Sequence, residues 1–361
     1  MVASPDHESP AQAGFPLDAW YAAAWDVDLQ RSLLSRTICG RRLVFYRRLD
    51  GLPVALEDAC WHRMLPLSLG RLVGDDLQCG YHGMVYNSAG TCVAMPTQER
   101  VPKQACVRAF PVVERHRFIW VWMGDPALAD PARVPDLHWN DDPHWMSDGR
   151  TIHAQCDFRL VIDNLMDLTH ETFVHEGSIG NRAVAESPFE CSHDEHFVTV
   201  TRWMLGIEPP PFWANQLGRP GPVDRWQVIR FEPPGTVTID VGVADAGTGA
   251  PQGDRSRGVN AYVLNTITPE TATTSHYFWA IARNYRLGEQ RITTELREGV
   301  TRIFREDEVV LEAQQRALAA WPERRMVNLG IDAGGVWSRK LIARMVDAER
   351  SAPPTAGGQA T

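Results

Sequence analysis

Cys60-Trp61-His62, separated by sixteen residues from Cys79-Gly80-Tyr81-His82, is the part of this sequence that decides its fold. Each of the two segments offers one thiolate and one imidazole, and each interrupts or follows a short strand-like segment. Gly80 and Gly83 let the backbone come close to a bound group, since glycine has no side chain. The pattern therefore predicts a metal site formed by two neighbouring loop tips.

Two kinds of metal centre use such a set of ligands. A structural zinc ion takes four Cys and His ligands in a tetrahedron. A Rieske [2Fe–2S] centre takes two Cys on one iron and two His on the other. The glycines and the position on loop tips favour the Rieske centre, with zinc and chance coincidence as the alternatives.

The surrounding sequence is typical of two domains. A chain of 361 residues exceeds one ordinary core, and short strands split by turns over 37–125 predict a small all-β domain. A helix at 293–321 and strands beyond a Pro- and Asp-rich connection at 125–143 predict an antiparallel sheet with helices against it, an α+β fold. These strands are expected at 197–206, 226–244, 260–268 and 273–285. We expect a disordered N-terminus over 1–16, a first domain over 17–130, a second over 131–350 and a disordered tail over 351–361.

Composition excludes some classes of function. The net charge of −9 comes without a basic tract, which argues against a nucleic-acid partner. No apolar run approaches the roughly 20 residues of a membrane helix, and the N-terminus shows no signal-peptide pattern. We therefore expect a cytoplasmic protein without a membrane partner. Seven scattered cysteines in such a chain indicate metal ligands and packing rather than disulfides.

A second group of polar residues lies in a helix predicted at 160–175. Asn164, Asp167 and His170 recur every three residues and so lie near one helical face. His175 lies about 140° from His170 on an ideal helix, so both can bind one metal only if the helix ends or distorts between them. Without the first site, capping or packing roles would be the simpler interpretation.

Asp307 is the candidate carboxylate partner of these histidines. It falls on the apolar stripe of the helix at 293–321, between Glu306 and Glu308. A carboxylate on a buried face is costly unless it is paired or bound to a metal. Two histidines and one carboxylate form the facial triad of non-haem Fe(II) oxygenases, which leaves positions open for O2. A capped or salt-bridged aspartate is the alternative.

These segments resemble a known family. CWHRMLPLSLGR (60–71) and CGYHGMVYNSAGTC (79–92) are similar to the Rieske motifs of ring-hydroxylating and demethylating oxygenases. REDEVVLEAQQ (305–315), DNLMDLTHETFVH (163–175) and TPETATTSHYFWAIARNY (268–285) are similar to the vanillate O-demethylase oxygenase subunit and its relatives that act on substituted benzoates. The resemblance covers about residues 17–345.

The resemblance implies a role for each motif residue. It assigns the [2Fe–2S] cluster to Cys60, His62, Cys79 and His82, and a mononuclear Fe(II) to His170, His175 and Asp307. Asp167 is expected to accept a hydrogen bond from the iron-bound histidine and to reach a Rieske histidine of a neighbouring subunit. Asn164 is expected to line the iron pocket. Asn265 stands where a related demethylase has a substrate-contacting histidine, which makes it a candidate substrate residue.

The resemblance also implies a fold and an activity. We expect an N-terminal Rieske domain and a helix-grip-like catalytic domain, assembled as a head-to-tail homotrimer. A separate flavin and iron–sulfur reductase would bring electrons from NAD(P)H. With O2, the oxygenase would demethylate a methoxylated aromatic acid such as vanillate to the phenol and formaldehyde.

Three other functions remain open at this point. One is ring or methyl hydroxylation of another substituted benzoate or aromatic compound. The second is a Rieske electron-transfer protein, which leaves the second group of polar residues unexplained. The third is a zinc-stabilised ligand-binding protein without a redox role.

Overall fold

The computed structural model describes residues 14–96 and 98–351. The expected disordered ends at 1–16 and 351–361 lie outside these ranges, except for residues 14–16 and 351. Phe15 packs against the hydrophobic cores of both halves of the molecule. The folded part therefore begins slightly earlier than the expected boundary.

The N-terminal half consists of short antiparallel strands in three small sheets, with orders β1-β11-β10, β2-β3-β4-β9 and β5-β6-β7-β8. Strand β3 explains how they pack. Leu43 and Phe45 lie in one hydrophobic core while Val44 and Tyr46 lie in another, because successive side chains of a strand point to opposite faces. The strands are β1 Trp20–Trp25, β2 Leu34–Ile38, β3 Arg41–Arg47, β4 Pro53–Glu57, β5 Arg71–Val73, β6 Asp76–Gln78, β7 Val85–Tyr86, β8 Cys92–Ala94, β9 Ala109–Phe110, β10 Val112–Arg115 and β11 Phe118–Trp122.

The C-terminal half is built on a seven-stranded antiparallel sheet with the order β12-β18-β17-β16-β15-β14-β13. From β13 to β18, strands that are consecutive in sequence are neighbours in the sheet. The first strand, β12, instead pairs with β18 and forms the edge opposite to β13. The strands are β12 Met146–Ala154, β13 Phe189–His193, β14 Val198–Ile207, β15 Val223–Glu232, β16 Thr236–Asp245, β17 Gly258–Thr271 and β18 Thr274–Arg283.

The prediction of one continuous strand at 226–244 is wrong. This segment is a hairpin of β15 and β16, whose last paired residues are Glu232 and Thr236. Pro233 and Pro234 form the turn, joined by a cis peptide bond. Proline has no N–H to donate to a sheet, so two prolines end a strand even inside a long run of β-forming residues.

The helices are α1 Phe158–Met166, α2 Glu171–Val174, α3 Arg182–Glu186, α4 Pro211–Leu217, α5 Gln290–Ala320 and α6 Ala333–Ser351. The helix expected at 160–175 is therefore broken between α1 and α2. Asp167 explains the break, because its carboxylate accepts a hydrogen bond from the backbone N–H of Thr169 at 2.9 Å and caps a short 3-10 turn at Leu168–His170. No helix among the described residues is both long and apolar enough to cross a bilayer.

Direct hydrogen bonds connect the two halves. The hydroxyl of Thr268 on β17 donates to the carbonyl of Ala22 on β1 at 2.7 Å, and the N–H of Cys39 donates to the carbonyl of Pro269 at 2.8 Å. At the other end of the chain, Glu349 on α6 accepts a hydrogen bond from the backbone N–H of Leu17 at 2.8 Å. The halves thus share a continuous interface.

Candidate metal centres and substrate cavity

The first candidate centre lies on two adjacent loops of the N-terminal half. Cys60 and His62 follow β4, and Cys79 and His82 lie between β6 and β7. Both cysteines are 2% exposed, whereas both histidines are exposed and their ring centroids are 4.7 Å apart. Two thiolates and two imidazoles are the donors with which a Rieske centre binds its two irons.

Glycine is required where these loops meet. A Cβ on Gly80 would lie 2.7 Å from the carbonyl oxygen of Leu69, which belongs to the first loop. Gly83 has a φ of +75°, in the left-handed region that favours glycine. The two loops therefore approach each other as closely as the sequence predicts.

The donor set of the first centre is two cysteines and two histidines. A Rieske centre takes two thiolates on one iron and two imidazoles on the other, so these four residues fit a [2Fe–2S] cluster.

The second candidate centre joins distant parts of the chain. His170 ends the 3-10 turn, His175 directly follows α2, and Asp307 comes from α5. Oδ1 of Asp307 lies 3.3 Å from Nε2 of His170 and 3.2 Å from Nε2 of His175. Two imidazoles and one carboxylate are a donor set that fits a mononuclear Fe(II). A 3-10 turn ends at His170 and α2 ends at Val174, directly before His175, so the two histidines do not lie on one continuous α-helix.

The other nitrogen of each imidazole is held by the protein. Nδ1 of His170 donates to the main-chain carbonyl of Asp167 at 2.6 Å, and Nδ1 of His175 donates to Oε2 of Glu306 at 2.6 Å. Such bonds fix the tautomer and leave Nε2 free to bind a metal. The contact between His170 and Asp167 uses the main-chain carbonyl of Asp167, whereas Oδ1 of its carboxylate accepts from the N–H of Thr169.

The surroundings of Asp307 favour the ionised form of its carboxyl group. Burial opposes its ionisation, but when His170 and His175 are protonated on both nitrogens, their hydrogen bonds and charges outweigh burial and lower the pKa of Asp307 to about 2. Asn164 adds a further donor, since its Nδ2 lies 3.2 Å from Oδ1 of Asp307. The carboxylate is therefore ionised and oriented at neutral pH.

A cavity with a volume of about 70 Å³ lies beside this centre. Asn164 and the three metal-site residues form part of its wall. Most of the remainder is apolar: Leu165, Leu168, Ile179, Phe212, Trp213, Ile239, Val241, Val263, Ile281, Val300, Ile303 and Phe304. An apolar wall next to polar metal-site residues is typical of small-molecule sites and suits contact with an apolar ring.

Asn265 is not part of this wall. It is fully buried in β17, where its Nδ2 donates to the carbonyl of Val237 at 2.9 Å and its Oδ1 accepts from the hydroxyl of Tyr277 at 2.7 Å. Both polar ends of its side chain thus have protein partners. Substrate contact by Asn265 remains a prediction to which the described contacts add no support.

Several residues of the site were not predicted from the sequence. Glu306 was noticed only as a neighbour of Asp307, although a carboxylate next to a ligand aspartate is a usable signal. Glu171 and Arg225 line the cavity as a buried ion pair, with 2.8 Å between Oε2 and Nη2. Their sequence positions, on a short helix and a strand, carry no mark that distinguishes them from surface residues.

Comparison with known proteins agrees with both centres. The Rieske [2Fe-2S] domain family matches residues 19–111, and the vanillate O-demethylase oxygenase C-terminal domain family matches residues 154–348. The vanillate O-demethylase oxygenase subunit of a Pseudomonas species is 49% identical over 320 residues, which cover 87% of this chain and 97% of that protein. A putative toluene-4-sulfonate monooxygenase iron-sulfur subunit of Comamonas testosteroni is 41% identical over 92% of this chain and 97% of that protein.

Solved structures show the same architecture. The crystal structure of dicamba monooxygenase bound to 3,6-dichlorosalicylic acid superposes with a TM-score of 0.89 at 34% identity, over 94% of this chain and all of that chain. Fold and site together define a Rieske oxygenase, an oxidoreductase with a [2Fe–2S] domain and a candidate mononuclear iron site. The chain belongs to the family of oxygenases that carry the vanillate O-demethylase oxygenase C-terminal domain.

Proposed function

We propose that this chain is the terminal oxygenase component of a multicomponent monooxygenase that O-demethylates a methoxylated aromatic acid such as vanillate. The observation that carries the proposal is the position of His170, His175 and Asp307 at the wall of an apolar cavity. The activity named for the relative that is 49% identical supports the same reaction.

The reaction converts the methoxy group to a phenol and formaldehyde. O2, two electrons and two protons are consumed, one oxygen atom enters the methyl group and the other leaves as water. The hydroxylated methyl group is a hemiacetal, which collapses as its C–O bond to the methyl carbon breaks. Iron bound at His170, His175 and Asp307 would supply the activation of O2, and a cluster at Cys60, His62, Cys79 and His82 would supply electrons.

The protein's own groups do the remaining work. The apolar wall excludes water and presents the ring edge to the metal site, which determines the position that is attacked. Asn164 keeps Asp307 in place through its amide, and Asp167 holds the tautomer of His170 through its carbonyl. Both residues are therefore proposed to position ligands, and Asp167 is also proposed to connect the site to a Rieske histidine of a neighbouring subunit.

The proposal includes partners and location. Relatives are named as oxygenase subunits or components, which supports a separate reductase that delivers electrons from NAD(P)H. We assign to it a flavin and an iron–sulfur group, and to the oxygenase a head-to-tail homotrimer in the cytoplasm. The two-domain boundaries near residues 17, 130 and 350 belong to the same proposal.

A second candidate is hydroxylation of an aryl methyl group. The relative at 41% identity is named for toluene-4-sulfonate, and the same cavity can present a methyl carbon in place of a methoxy carbon. The two candidates differ in product, because only demethylation releases formaldehyde.

The test is an assay of the purified, iron-loaded oxygenase with a reductase, NADH and O2. Vanillate, toluene-4-sulfonate and a panel of methoxybenzoates would each be supplied, with His175→Ala as the control that lacks one metal ligand. Formaldehyde released in step with NADH oxidation supports the proposal. A hydroxymethyl product from toluene-4-sulfonate, with no formaldehyde from any methoxybenzoate, would replace it with the second candidate.

A further inference from the structure

Arg225 contacts both ends of the segment that carries the two histidines of the metal site. It lies on β15 and is 1% exposed. Its Nη2 donates to Oε2 of Glu171 at 2.8 Å, and its Nη1 donates to the carbonyl of Ile179 at 2.9 Å. Glu171 directly follows His170, and Ile179 comes four residues after His175, so one guanidinium spans the segment.

Gln227 completes the attachment from the same strand. Residues two apart in a strand point to the same face, and Gln227 therefore lies beside Arg225. Its Nε2 donates to both carboxylate oxygens of Glu171, at 2.9 and 3.0 Å. Glu171 is 4% exposed, and both oxygens of its carboxylate accept hydrogen bonds from side chains of the sheet.

The segment between these anchor points has little freedom of its own. The backbone N–H groups of Ser178 and Gly180 both donate to the carbonyl of His175 at 3.1 Å. A Cβ on Gly180 would lie 1.9 Å from the carbonyl oxygen of Glu171. Because the turn is compact, its attachment to the sheet sets where both imidazoles lie relative to Asp307.

We propose that Arg225 is a positioning residue for the mononuclear metal site, which acts through Glu171 and Ile179 and is assisted by Gln227. Its side-chain hydrogen bonds within the described part of the chain go to Glu171 and Ile179, not to the three metal-site residues. The inference rests on the metal site of the proposed function and is independent of the substrate.

The electrostatic cost of losing Arg225 explains its expected effect. Without the guanidinium, Glu171 would be a buried carboxylate that has lost its hydrogen-bonded cation, which is strongly unfavourable. Glu171 would then turn toward water. Since it is covalently next to His170, this movement displaces the first imidazole, while the released Ile179 loosens the loop that holds the second.

The test uses the full-length chain with its cluster, stripped of mononuclear metal and titrated with Co(II), whose visible absorption reports the geometry of its ligands. We expect Arg225→Met to bind Co(II) about 10–100-fold more weakly than wild type, the range measured for residues that support metal ligands. Its Co(II) spectrum should change as well. Arg225→Lys can reach Glu171 but cannot also donate to Ile179, because an ammonium lacks the fork of the guanidinium. Its affinity for Co(II) should therefore lie between those of wild type and Arg225→Met.

Arg255→Met is the matched control. Arg255 pairs with Asp240 on the neighbouring strand β16, with 2.6 Å between Nη1 and Oδ2, and lies outside the cavity wall. Its loss should lower stability without changing Co(II) binding. The absorption of the [2Fe–2S] cluster and the urea midpoint show whether each variant is folded.

The outcomes separate the two proposals. Wild-type Co(II) affinity and spectrum in folded Arg225→Met would overturn the role of Arg225. If that variant does not fold, Arg225→Lys decides, since unchanged binding by a folded lysine variant overturns it equally. Failure of the wild-type protein to bind Co(II) at all would instead contradict the metal site of the proposed function.

Discussion

Glu306 accepts a hydrogen bond from the nitrogen of His175 that points away from Asp307, with 2.6 Å between Oε2 and Nδ1. Two neighbouring residues of α5 thus contact the two ring nitrogens of His175: Asp307 lies at Nε2 and Glu306 lies at Nδ1. The carboxylate of Glu306 makes the ring a stronger donor to a metal and fixes its orientation.

Glu306→Gln should therefore weaken metal retention while leaving the ligands intact. A neutral amide is a poorer partner for Nδ1–H, and we expect about 10–100-fold weaker Fe(II) binding. The measurement is the Fe(II) dissociation constant under anaerobic conditions. Glu308→Gln, on the other side of Asp307, is the control, and equal effects of both substitutions would contradict a specific role for Glu306.

Gly180→Ala should disturb the same site by crowding. The added methyl would lie 1.9 Å from the carbonyl of Glu171 and 2.9 Å from that of His175, so backbone must move. We expect a loss of about 1–3 kcal/mol in the free energy of unfolding, as for other overpacked positions, together with weaker Fe(II) binding. Urea unfolding measures the first effect.

Gly288→Ala is its control, because a methyl there would touch nothing within 4 Å. A similar loss of stability in both variants would show that crowding at Gly180 is not the cause.

Tyr86→Phe should lower the reduction potential of the Rieske cluster. The Tyr86 hydroxyl lies 3.2 Å from Sγ of Cys60 and also accepts a hydrogen bond from the N–H of Trp61. A donor to a ligand sulfur stabilises the reduced, more negative cluster. Loss of a bond of about 1 kcal/mol corresponds to a decrease on the order of 40 mV.

Spectroelectrochemical titration measures this decrease. Tyr46→Phe removes a buried hydroxyl from the same core, one that bonds to the carbonyl of Asp75 and not to the cluster. An unchanged potential in Tyr86→Phe, or an equal change in both variants, would contradict the predicted role.

His276 should make stability depend on pH. Burial, and then the charge of Arg36, lower the pKa of His276 to about 4, although Glu270 partly opposes this and His153 adds to it. The unfolded chain therefore binds more protons between about pH 4 and the ordinary value near 6.5. Stability from this group is complete above that ordinary value and is lost as the pH falls toward 4.

Between pH 7 and pH 5 the loss amounts to about 2 kcal/mol. Urea unfolding at the two pH values should show it in wild type and show less of it in His276→Gln. His144→Gln removes an exposed histidine and should retain the wild-type dependence. An unchanged dependence in His276→Gln would mean that other groups cause it.

The candidate metal ligands could be proposed from the sequence because their residue types form unusual patterns there. Cys60 and Cys79 with their nearby histidines form a compact local motif. Helix geometry required the helix to end or distort if His170 and His175 were to meet one metal, and α2 ends directly before His175. Asp307 was identifiable as a carboxylate on an apolar stripe. In each case the residues were recognisable because polar or metal-binding side chains occur at positions where packing alone would favour apolar ones.

The supporting residues were not predictable for the opposite reason. An arginine such as Arg225 on a strand looks like any exposed cation until the fold buries it beside Glu171. The hairpin at Pro233 was missed because β-forming residues flank it on both sides. The acceptor role of the Asp167 carbonyl depends on main-chain direction, which side-chain patterns do not encode.

The two centres also differ in when a newly made chain can complete them. The four candidate cluster ligands leave the ribosome within one short stretch of chain. Asp307, in contrast, is made long after His170, when all seven strands of the large sheet have been synthesised. At ordinary rates of translation, on the order of ten seconds pass between these two residues. Until then the emerging histidines have no carboxylate partner from α5, so the donor set proposed to bind iron is assembled late in the synthesis of this protein.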